Sequence, residues 1–370
     1  MRDSGTTYGC RIGKSGAARL NMHYQVTNLD DYHPVSEAVI PCSLRWACSQ
    51  PGPSVVTFGV AGNIDLHSSL EINTSNLTVD GSTSPAGGIC IRRRAIRLNG
   101  VDSVVLKHLR IRCGDRNRAE VLKTFAEGCL WIGNGSTNVL IEHCSIGWGT
   151  DQCVTTWGNL DPARARAGTR DIALRHCLIA ESLNNTVHPE SPHGHAALLM
   201  SDGVILVRHC VFAHHLSRAI TPGKMGCAVP TCDFRNNLLY DCSGYADLDV
   251  NLNYVGNTIV RPNSEPFRMY GDTPNRKMYV LENTQQGSDE LDQWKMITGN
   301  REAPAEHQAA VPFAVDLVPM NRSADTLLAL AGATLPRRDS VDQRVIQQVL
   351  DGTGGLIDSQ EDVGGYPSLQ

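Results

Sequence analysis

The sequence predicts an all-β protein in which short parallel strands stack into a solenoid, followed by a C-terminal tail with one short helix. Six segments of the 370-residue chain share a pattern: a run of β-formers, then a His or Asn, then an apolar pair. They are VVLKHLRI (104–111), VLIEHCSI (139–146), IALRHCLI (172–179), ILVRHCVF (205–212), CDFRNNLL (232–239) and LNYVGNTI (252–259). The residues between them lack the amphipathic helices that a doubly wound α/β fold needs.

Two columns of the aligned segments indicate how the strands stack. One column reads Leu109, Cys144, Cys177, Cys210, Asn237 and Asn257, and the preceding one reads His108, His143, His176, His209, Asn236 and Gly256. Each strand is too short to bury its own apolar face, but parallel stacking lets backbone groups bond between rungs and places like side chains above one another. We therefore expect both columns to be structural ladders.

Earlier and later segments complete this arrangement. The β-rich runs at 54–66, 70–82 and 88–100 are broken by Gly and Asn and fit further rungs, so regular rungs are expected over about 24–264. We interpret 265–370 as one more irregular turn and a packed tail, which makes 1–370 a single domain.

The tail is expected to contain a helix over 339–350. Val341, Val345, Ile346 and Leu350 stand at helical spacing there. Asp339 is a plausible N-cap, and Gly352 is expected to follow the end of the helix.

Composition narrows the function. The formal net charge of −5 argues against non-specific binding to nucleic acid. No run of eighteen apolar residues predicts a membrane span. No apolar run follows Arg2 and Asp3, so a secretory signal is expected to be absent or removed before this numbering begins. The thirteen cysteines form no Cys-x-x-Cys pair, and their odd number leaves at least one thiol free or paired between chains.

Several stretches resemble the pectate lyase family, in particular its bacterial and phage-like members. They are YQVTNLDD (24–31), VTFGVAGNIDL (56–66), LTVDGSTSPAGGICIR (77–92), NVLIEHCSIGWGTDQ (138–152), AESL (180–183), FAHHLSRAI (212–220), FRNNLLYDCSGYA (234–246) and RDSVDQRVIQQVLDGTGGLIDSQEDVGGYP (338–367). This resemblance implies a right-handed parallel β-helix whose cleft lies beside the loops after the third to fifth rungs. It also implies β-elimination of a uronate-containing glycan.

The resemblance places a catalytic arginine at Arg218, eight residues beyond Cys210. In the family this Arg is the base or the key cationic group. The alternative is an arginine whose stem packs on the rung and whose charge pairs with a nearby acid. Lys224 and His215 lie close in sequence and are expected to bind sugar carboxylates, although Lys224 could equally be an ordinary solvated lysine.

The family usually uses calcium, held by carboxylates, to neutralise the substrate carboxylate. Glu127 and Asp151 are the remaining candidate ligands, because Cys129 and Thr155 stand at positions that are usually acidic. Two carboxylates in a wet groove make a weak calcium site, so we expect a weakened calcium dependence. The alternative for Asp151 is a turn-capping role.

The loop HPESPHGH (188–195) is a third candidate feature. Related sequences often have Lys where this chain has Glu190. A neutral His can act as a general base and a protonated one can neutralise a carboxylate. We assign His193 to catalysis and His188 and Glu190 to substrate binding. The three histidines, with His195, could instead bind a transition metal or form a polar loop bonded to its neighbours.

Trp131, Trp148, Trp157 and Tyr245 are the candidates for stacking on sugar faces. The repeat alignment places Trp148 and Tyr245 in cleft-side loops and therefore favours these two, although either could be part of the core.

The leading hypothesis is a polysaccharide lyase that acts on an acidic glycan, secreted and monomeric. The second is a glycan-binding β-helix of a phage tailspike or other virion protein, assembled as a homotrimer. The third is hydrolysis by paired carboxylates, with Asp151 and either Glu181 or Glu190 as the pair.

Overall fold

The computed structural model describes residues 21–115, 126–157, 168–224, 226, 228–271, 273–287, 293–300, 307, 309–311 and 324–369. Three strands per turn build a coil, and each strand pairs in parallel with the equivalent strand of the turns before and after it. The predicted right-handed parallel β-helix is confirmed. Among the described residues, no helix is long and apolar enough to cross a membrane.

The strands are numbered along the chain and fall into three long sheets and one short one. Sheet A contains β1 (Met22–Val26), β2 (Ser54–Phe58), β5 (Leu77–Asp80), β8 (Asp102–Lys107), β11 (Thr137–Glu142), β14 (Arg170–Arg175), β17 (Val204–Arg208), β20 (Thr231–Arg235), β23 (Asn251–Val255) and β26 (Lys277–Leu281). Sheet B contains β3 (Gly62–Asp65), β6 (Ile89–Arg92), β9 (Arg110–Arg112), β12 (Ser145–Gly147), β15 (Leu178–Ala180), β18 (Val211–Ala213), β21 (Leu238–Tyr240), β24 (Thr258–Val260) and β27 (Thr284–Gln285).

Sheet C contains β4 (Leu70–Ile72), β7 (Ile96–Asn99), β10 (Leu130–Gly133), β13 (Val154–Thr156), β16 (Ala197–Ser201) and β19 (Thr221–Lys224). The short sheet contains β22 (Gly244–Ala246), β25 (Phe267–Met269) and β28 (Ile297–Gly299). The helices are α1 (Leu44–Cys48), α2 (Ala324–Leu330) and α3 (Ser340–Asp351). Because β26 and β27 extend sheets A and B, the coil continues one turn beyond the expected boundary at residue 264.

The histidine column turns the chain from sheet A to sheet B. His108, His143, His176 and His209 all have positive φ, between 49° and 55°. Their rings stack at centroid distances of 4.8–4.9 Å, which confirms the structural interpretation of this column.

The next column faces inward and is buried. There Asn237 Oδ1 accepts the Cys210 N–H at 2.9 Å, and Asn257 Oδ1 accepts the Asn237 N–H at 3.0 Å. Asn283 continues this ladder, since its Oδ1 accepts the Asn257 N–H at 2.9 Å. The amide side chains thus satisfy backbone groups that the tight inward turn leaves without a sheet partner.

The C-terminal tail covers the outer face of sheet B. Apolar side chains of α2 and α3 pack there, among them Leu327, Leu328, Val345 and Val349. The predicted helix is confirmed: Asp339 caps α3 by accepting the Asp342 N–H at 3.0 Å, and Gly352 follows it at φ 70°. Leu350 is 53% exposed and does not belong to the packed face.

Candidate active-site cleft

An open cleft of about 410 Å³ lies over the outer face of sheet C. Its floor is a cross-strand row of one outward-facing residue from each of four neighbouring strands, Arg97, Trp131, Thr155 and Leu198. The neighbours of these residues along each strand point into the core, as the period of two in a β-strand requires.

The walls of the cleft come from the loops that lead from sheet B to sheet C. These loops bring together six residues that the sequence nominated, namely Glu127, Asp151, His188, Glu190, His193 and Arg218. They come from four successive turns of the coil.

Asp151, His188 and His193 form a compact cluster in this wall. Nε2 of His193 lies 3.2 Å from Asp151 Oδ1, and Nε2 of His188 lies 4.0 Å from the same oxygen. The two imidazoles are stacked, with centroids 3.7 Å apart and planes within 4°. Burial raises the pKa of Asp151, but the close contact with His193 and its charge outweigh burial, so this pKa is lowered overall. Burial, and then the charge of His193, lower the pKa of His188.

His195 belongs to the same loop but has a different role. Its Nδ1 lies 3.0 Å from the Ser217 hydroxyl, and its backbone forms a bridge with Ser217. Burial lowers its pKa to about 3, with further contributions from Arg218 and His193. The third histidine of the motif is therefore neutral and tied to the next turn.

Arg218 lies between β18 and β19 with φ 56°. Its Nε donates to the Tyr245 hydroxyl at 2.8 Å, and its guanidinium carbon lies 5.9 Å from the Tyr245 ring centroid. No acidic side chain of the described residues forms an ion pair with it, so the pairing with an acid weighed from the sequence is not observed. Tyr245 was expected to stack on sugar, but it is not among the residues that line the cleft, and it packs edge-on against Tyr270 at 5.4 Å.

Glu127 lines the cleft, but its carboxylate is already engaged. Oε1 accepts from the Ser69 hydroxyl at 2.7 Å and from the Ala95 N–H at 3.1 Å, and Oε2 lies 3.6 Å from Nη1 of Arg94. This carboxylate is thus compensated within the protein.

The residues of the cleft do not fit calcium. Calcium takes about six to eight oxygen ligands, whereas the groups next to the Asp151 carboxylate are imidazole nitrogens. At the two positions that are usually acidic, the Cys129 thiol donates to the Gly147 carbonyl at 2.9 Å and the Thr155 hydroxyl donates to Gln152 Oε1 at 3.4 Å. Neither provides a carboxylate.

Two predicted substrate-binding residues lie elsewhere, and these predictions are wrong. Trp148 is 1% exposed; its Nε1 donates to Glu181 Oε2 at 3.0 Å, and its ring packs edge-on against Tyr366 of the tail at 5.1 Å. His215 is fully buried: its Nδ1 accepts from the Ser182 hydroxyl at 2.7 Å and its Nε2 lies 3.0 Å from the Ile179 carbonyl. Both belong to the correct loops, but Trp148 points toward the sheet B side, which the tail covers, and His215 contacts the backbone of β15.

The placement of the remaining candidates also differs from expectation. Glu181 is buried and paired with Arg344, which removes it as a partner of Asp151 in hydrolysis. Lys224 ends β19, half-buried and outside the residues that line the cleft. Glu190 is at the rim, with its side chain 79% exposed.

Sequence reasoning did not select Arg97 and did not favour Trp131 or Trp157, yet all three line the cleft. The indole of Trp131 lies across Gly133, where a Cβ would come within 2.3 Å of the ring. Its face therefore lies along the sheet. A signal in the sequence could have found Arg97 and Trp131. Each stands between two apolar residues, in IRL (96–98) and LWI (130–132), and therefore points outward at equivalent positions of successive turns.

Comparisons with known proteins establish the fold alone. No family model matches the sequence, and no curated protein matches it. Jun a 1, the major allergen from cedar pollen, is similar in structure, with a TM-score of 0.58 and 14% identity over 90% of this chain and 88% of that chain.

Two pectate lyases are more distant structural matches. One, from Bacillus sp. N165 and solved in complex with trigalacturonate, has a TM-score of 0.49 and 11% identity over 84% of this chain and 88% of that chain. The other, from Paenibacillus sp. 0602, has a TM-score of 0.48 and 11% identity over 77% and 79%. The structural likeness to Jun a 1 agrees with the β-helix fold that the sequence predicts.

Proposed function

We propose that the protein is a polysaccharide lyase that cleaves a uronate-containing glycan by β-elimination in the cleft over sheet C. The observation that carries this proposal is the position of Arg218, a cation without an acidic partner among the described residues, in the same open cleft as the His188–His193 pair. A guanidinium compensated by its own protein would be less available to a substrate carboxylate.

The lining of the cleft suits an acidic sugar chain. Arg218 supplies positive charge, Arg97 adds a second guanidinium whose Nε lies 3.8 Å from Glu71 Oε1, and Trp131 and Trp157 supply aromatic surface. The apolar face of a sugar ring stacks on an aromatic side chain, and its carboxylate and hydroxyl groups form hydrogen bonds with charged side chains. The cleft is open, as a long polymer requires.

β-Elimination needs a group that neutralises the uronate carboxylate and a base beside C5. The base takes the C5 proton, the C–H electrons form the C4–C5 double bond, and the C4–O bond breaks with its electrons on the leaving oxygen, which then takes up a proton. Arginine keeps its proton in proteins, so Arg218 is assigned the cationic role. A neutral imidazole accepts a proton near neutral pH, so His193 is assigned the role of base.

The test is incubation of the protein with polygalacturonate and with acidic bacterial polysaccharides, followed by ultraviolet absorbance of the unsaturated uronate product. We expect new absorbance that falls about 100-fold or more in Arg218→Lys, because the planar fork of hydrogen bonds is lost. Arg337→Ala is the matched control, since Arg337 is exposed on the tail.

Each other outcome would contradict the proposal in a defined way. Reducing ends without absorbance would indicate hydrolysis, with Asp151 and Glu190 as the remaining carboxylate pair. Glycan binding with neither product would indicate the glycan-binding virion protein, and light scattering would then test for a trimer.

A further inference from the structure

The Asp151 cluster has a second property, distinct from the base role proposed for His193, which requires the metal-free form of that ring. Among the residues that the structure describes, Asp151, His188 and His193 are the one set of three His, Cys, Asp or Glu side chains whose donor atoms all lie within 4.8 Å of one another. The three side chains come from two successive turns of the coil and converge on the cleft.

We propose that this cluster binds a divalent transition-metal ion of the zinc class through Nε2 of His188, Nε2 of His193 and Oδ1 of Asp151. Two imidazoles and one carboxylate are ligands that such ions prefer, whereas calcium selects oxygen. With metal–ligand bonds of about 2.0–2.2 Å in a tetrahedral site, neighbouring donor atoms stand about 3.4 Å apart.

The observed distances are close to this requirement. Asp151 Oδ1 lies 3.2 Å from Nε2 of His193 and 4.0 Å from Nε2 of His188. The His188 ring therefore needs to move by less than 1 Å relative to the carboxylate. Because the two ring planes lie within 4° of parallel, their in-plane lone pairs do not converge, and at least one ring must rotate about its side-chain bonds for both Nε2 atoms to bind one ion.

The surroundings of the cluster support a bound cation. Asp151 Oδ1 is a buried atom for which no hydrogen-bond donor is aligned, although Nε2 of His193 is near. On the other side of the ring, Nδ1 of His193 lies 3.9 Å from Oε2 of Glu190. A carboxylate there orients a metal-bound histidine and fixes its proton on the distal nitrogen. His195 does not belong to this set of donor atoms, and its Nδ1 lies 3.0 Å from the Ser217 hydroxyl.

Two existing contacts must be exchanged. Nε2 of His193 lies 3.4 Å from Nε2 of Gln152, and this contact is lost when the ion binds. Nδ1 of His188 accepts the Glu190 N–H at 3.0 Å, which places the proton of the neutral ring on Nε2. Metal binding moves this proton to Nδ1 and breaks that hydrogen bond. His193 and Asp151 are therefore the primary ligands, and His188 completes the site with a local rearrangement of the 188–190 turn. The remaining coordination positions face the cleft.

The experiment is a titration of metal-free, thiol-reduced protein with Co²⁺, read by the visible d–d bands of the ion. We expect one Co²⁺ per chain, displaced by Zn²⁺ and not by excess Ca²⁺. Binding should weaken by at least about tenfold in His193→Gln and in Asp151→Asn. His67→Gln is the matched control, because His67 forms an exposed pair with Glu37 at 2.7 Å but lacks a third ligand.

Three results would overturn the inference: no saturable binding, binding that is unchanged in both variants, or a cobalt–thiolate charge-transfer band that persists in His193→Gln. Circular dichroism of each metal-free variant shows whether it has folded, and Asp151→Asn tests the site if His193→Gln does not fold. Binding is read from the ion itself, so this inference and the proposed lyase activity can fail separately.

Discussion

Replacement of Arg112 tests whether the tail is held by a buried charge cluster. Arg112 is buried; its Nη1 lies 2.5 Å from Asp339 Oδ2, and its Nη2 lies 2.7 Å from Asp342 Oδ1. Arg112→Met keeps most of the volume but leaves two buried carboxylates with less compensation. Breaking a buried pair in this way costs about 3–5 kcal/mol. Arg110 Nε remains 3.2 Å from Asp339 Oδ2 and compensates part of the charge, so we expect the free energy of unfolding to fall by about 3 kcal/mol.

The pH dependence of this loss identifies its cause. Burial raises the pKa of Asp339, but Arg112 outweighs it and the pKa falls to about 2. Because this folded-state pKa lies below the unfolded one, Asp339 stabilises the protein above about pH 4, and that stability is lost as the pH falls toward 2. Burial and the neighbouring Asp339 raise the pKa of Asp342. Without Arg112 both carboxyls take up protons in mild acid, so the difference from wild type should shrink as the pH falls.

The assay is urea unfolding of wild type and Arg112→Met at about pH 7 and about pH 4, compared at each pH. The exposed Arg337→Met is the control, with an expected change within about 0.5 kcal/mol. A loss below about 1 kcal/mol at neutral pH, or a loss that does not shrink in acid, would refute the reasoning.

Three further changes test other parts of the molecule. Tyr245→Phe removes the acceptor of the Arg218 Nε–H but keeps the ring, so we expect kcat on an acidic glycan to fall about tenfold with little change in KM; an unchanged kcat would restore the sugar-stacking role. Burial lowers the pKa of His215 to about 4, below its unfolded value of about 6.5, so the unfolded state takes up the proton first. The free energy of unfolding should fall by about 3 kcal/mol as the pH decreases from about 6.5 to about 4. A flat pH profile in wild type, or a profile equally steep in His215→Asn, would contradict this. Asn257→Ala removes the acceptor of the Asn237 N–H and the donor to the Phe234 carbonyl, with an expected loss of about 2–4 kcal/mol in urea unfolding. The exposed Asn275→Ala is its control, and equal losses in the two variants would show that the ladder is not what stabilises the turn.

The repeats alone determined most of the coil. The spacing of the His and Cys–Asn columns predicts which residues lie above one another, because in-register parallel stacking puts equivalent positions of successive turns in contact. Local spacing also predicted α3, its Asp339 cap and the Gly352 that ends it. The resemblance to pectate lyases, rather than the repeats, nominated Asp151, His193 and Arg218 and the loops that carry them.

The side of the coil to which each loop residue points was decided by tertiary structure. Trp148 and Asp151 are three residues apart, yet one is buried beneath the tail and the other faces the cleft. The tail reaches sheet B through contacts such as Arg112 with Asp339, which are 227 residues apart in sequence. Such contacts leave no periodic signal in the chain. They cover one outer face and leave sheet C open, and so they determine where the open cleft lies.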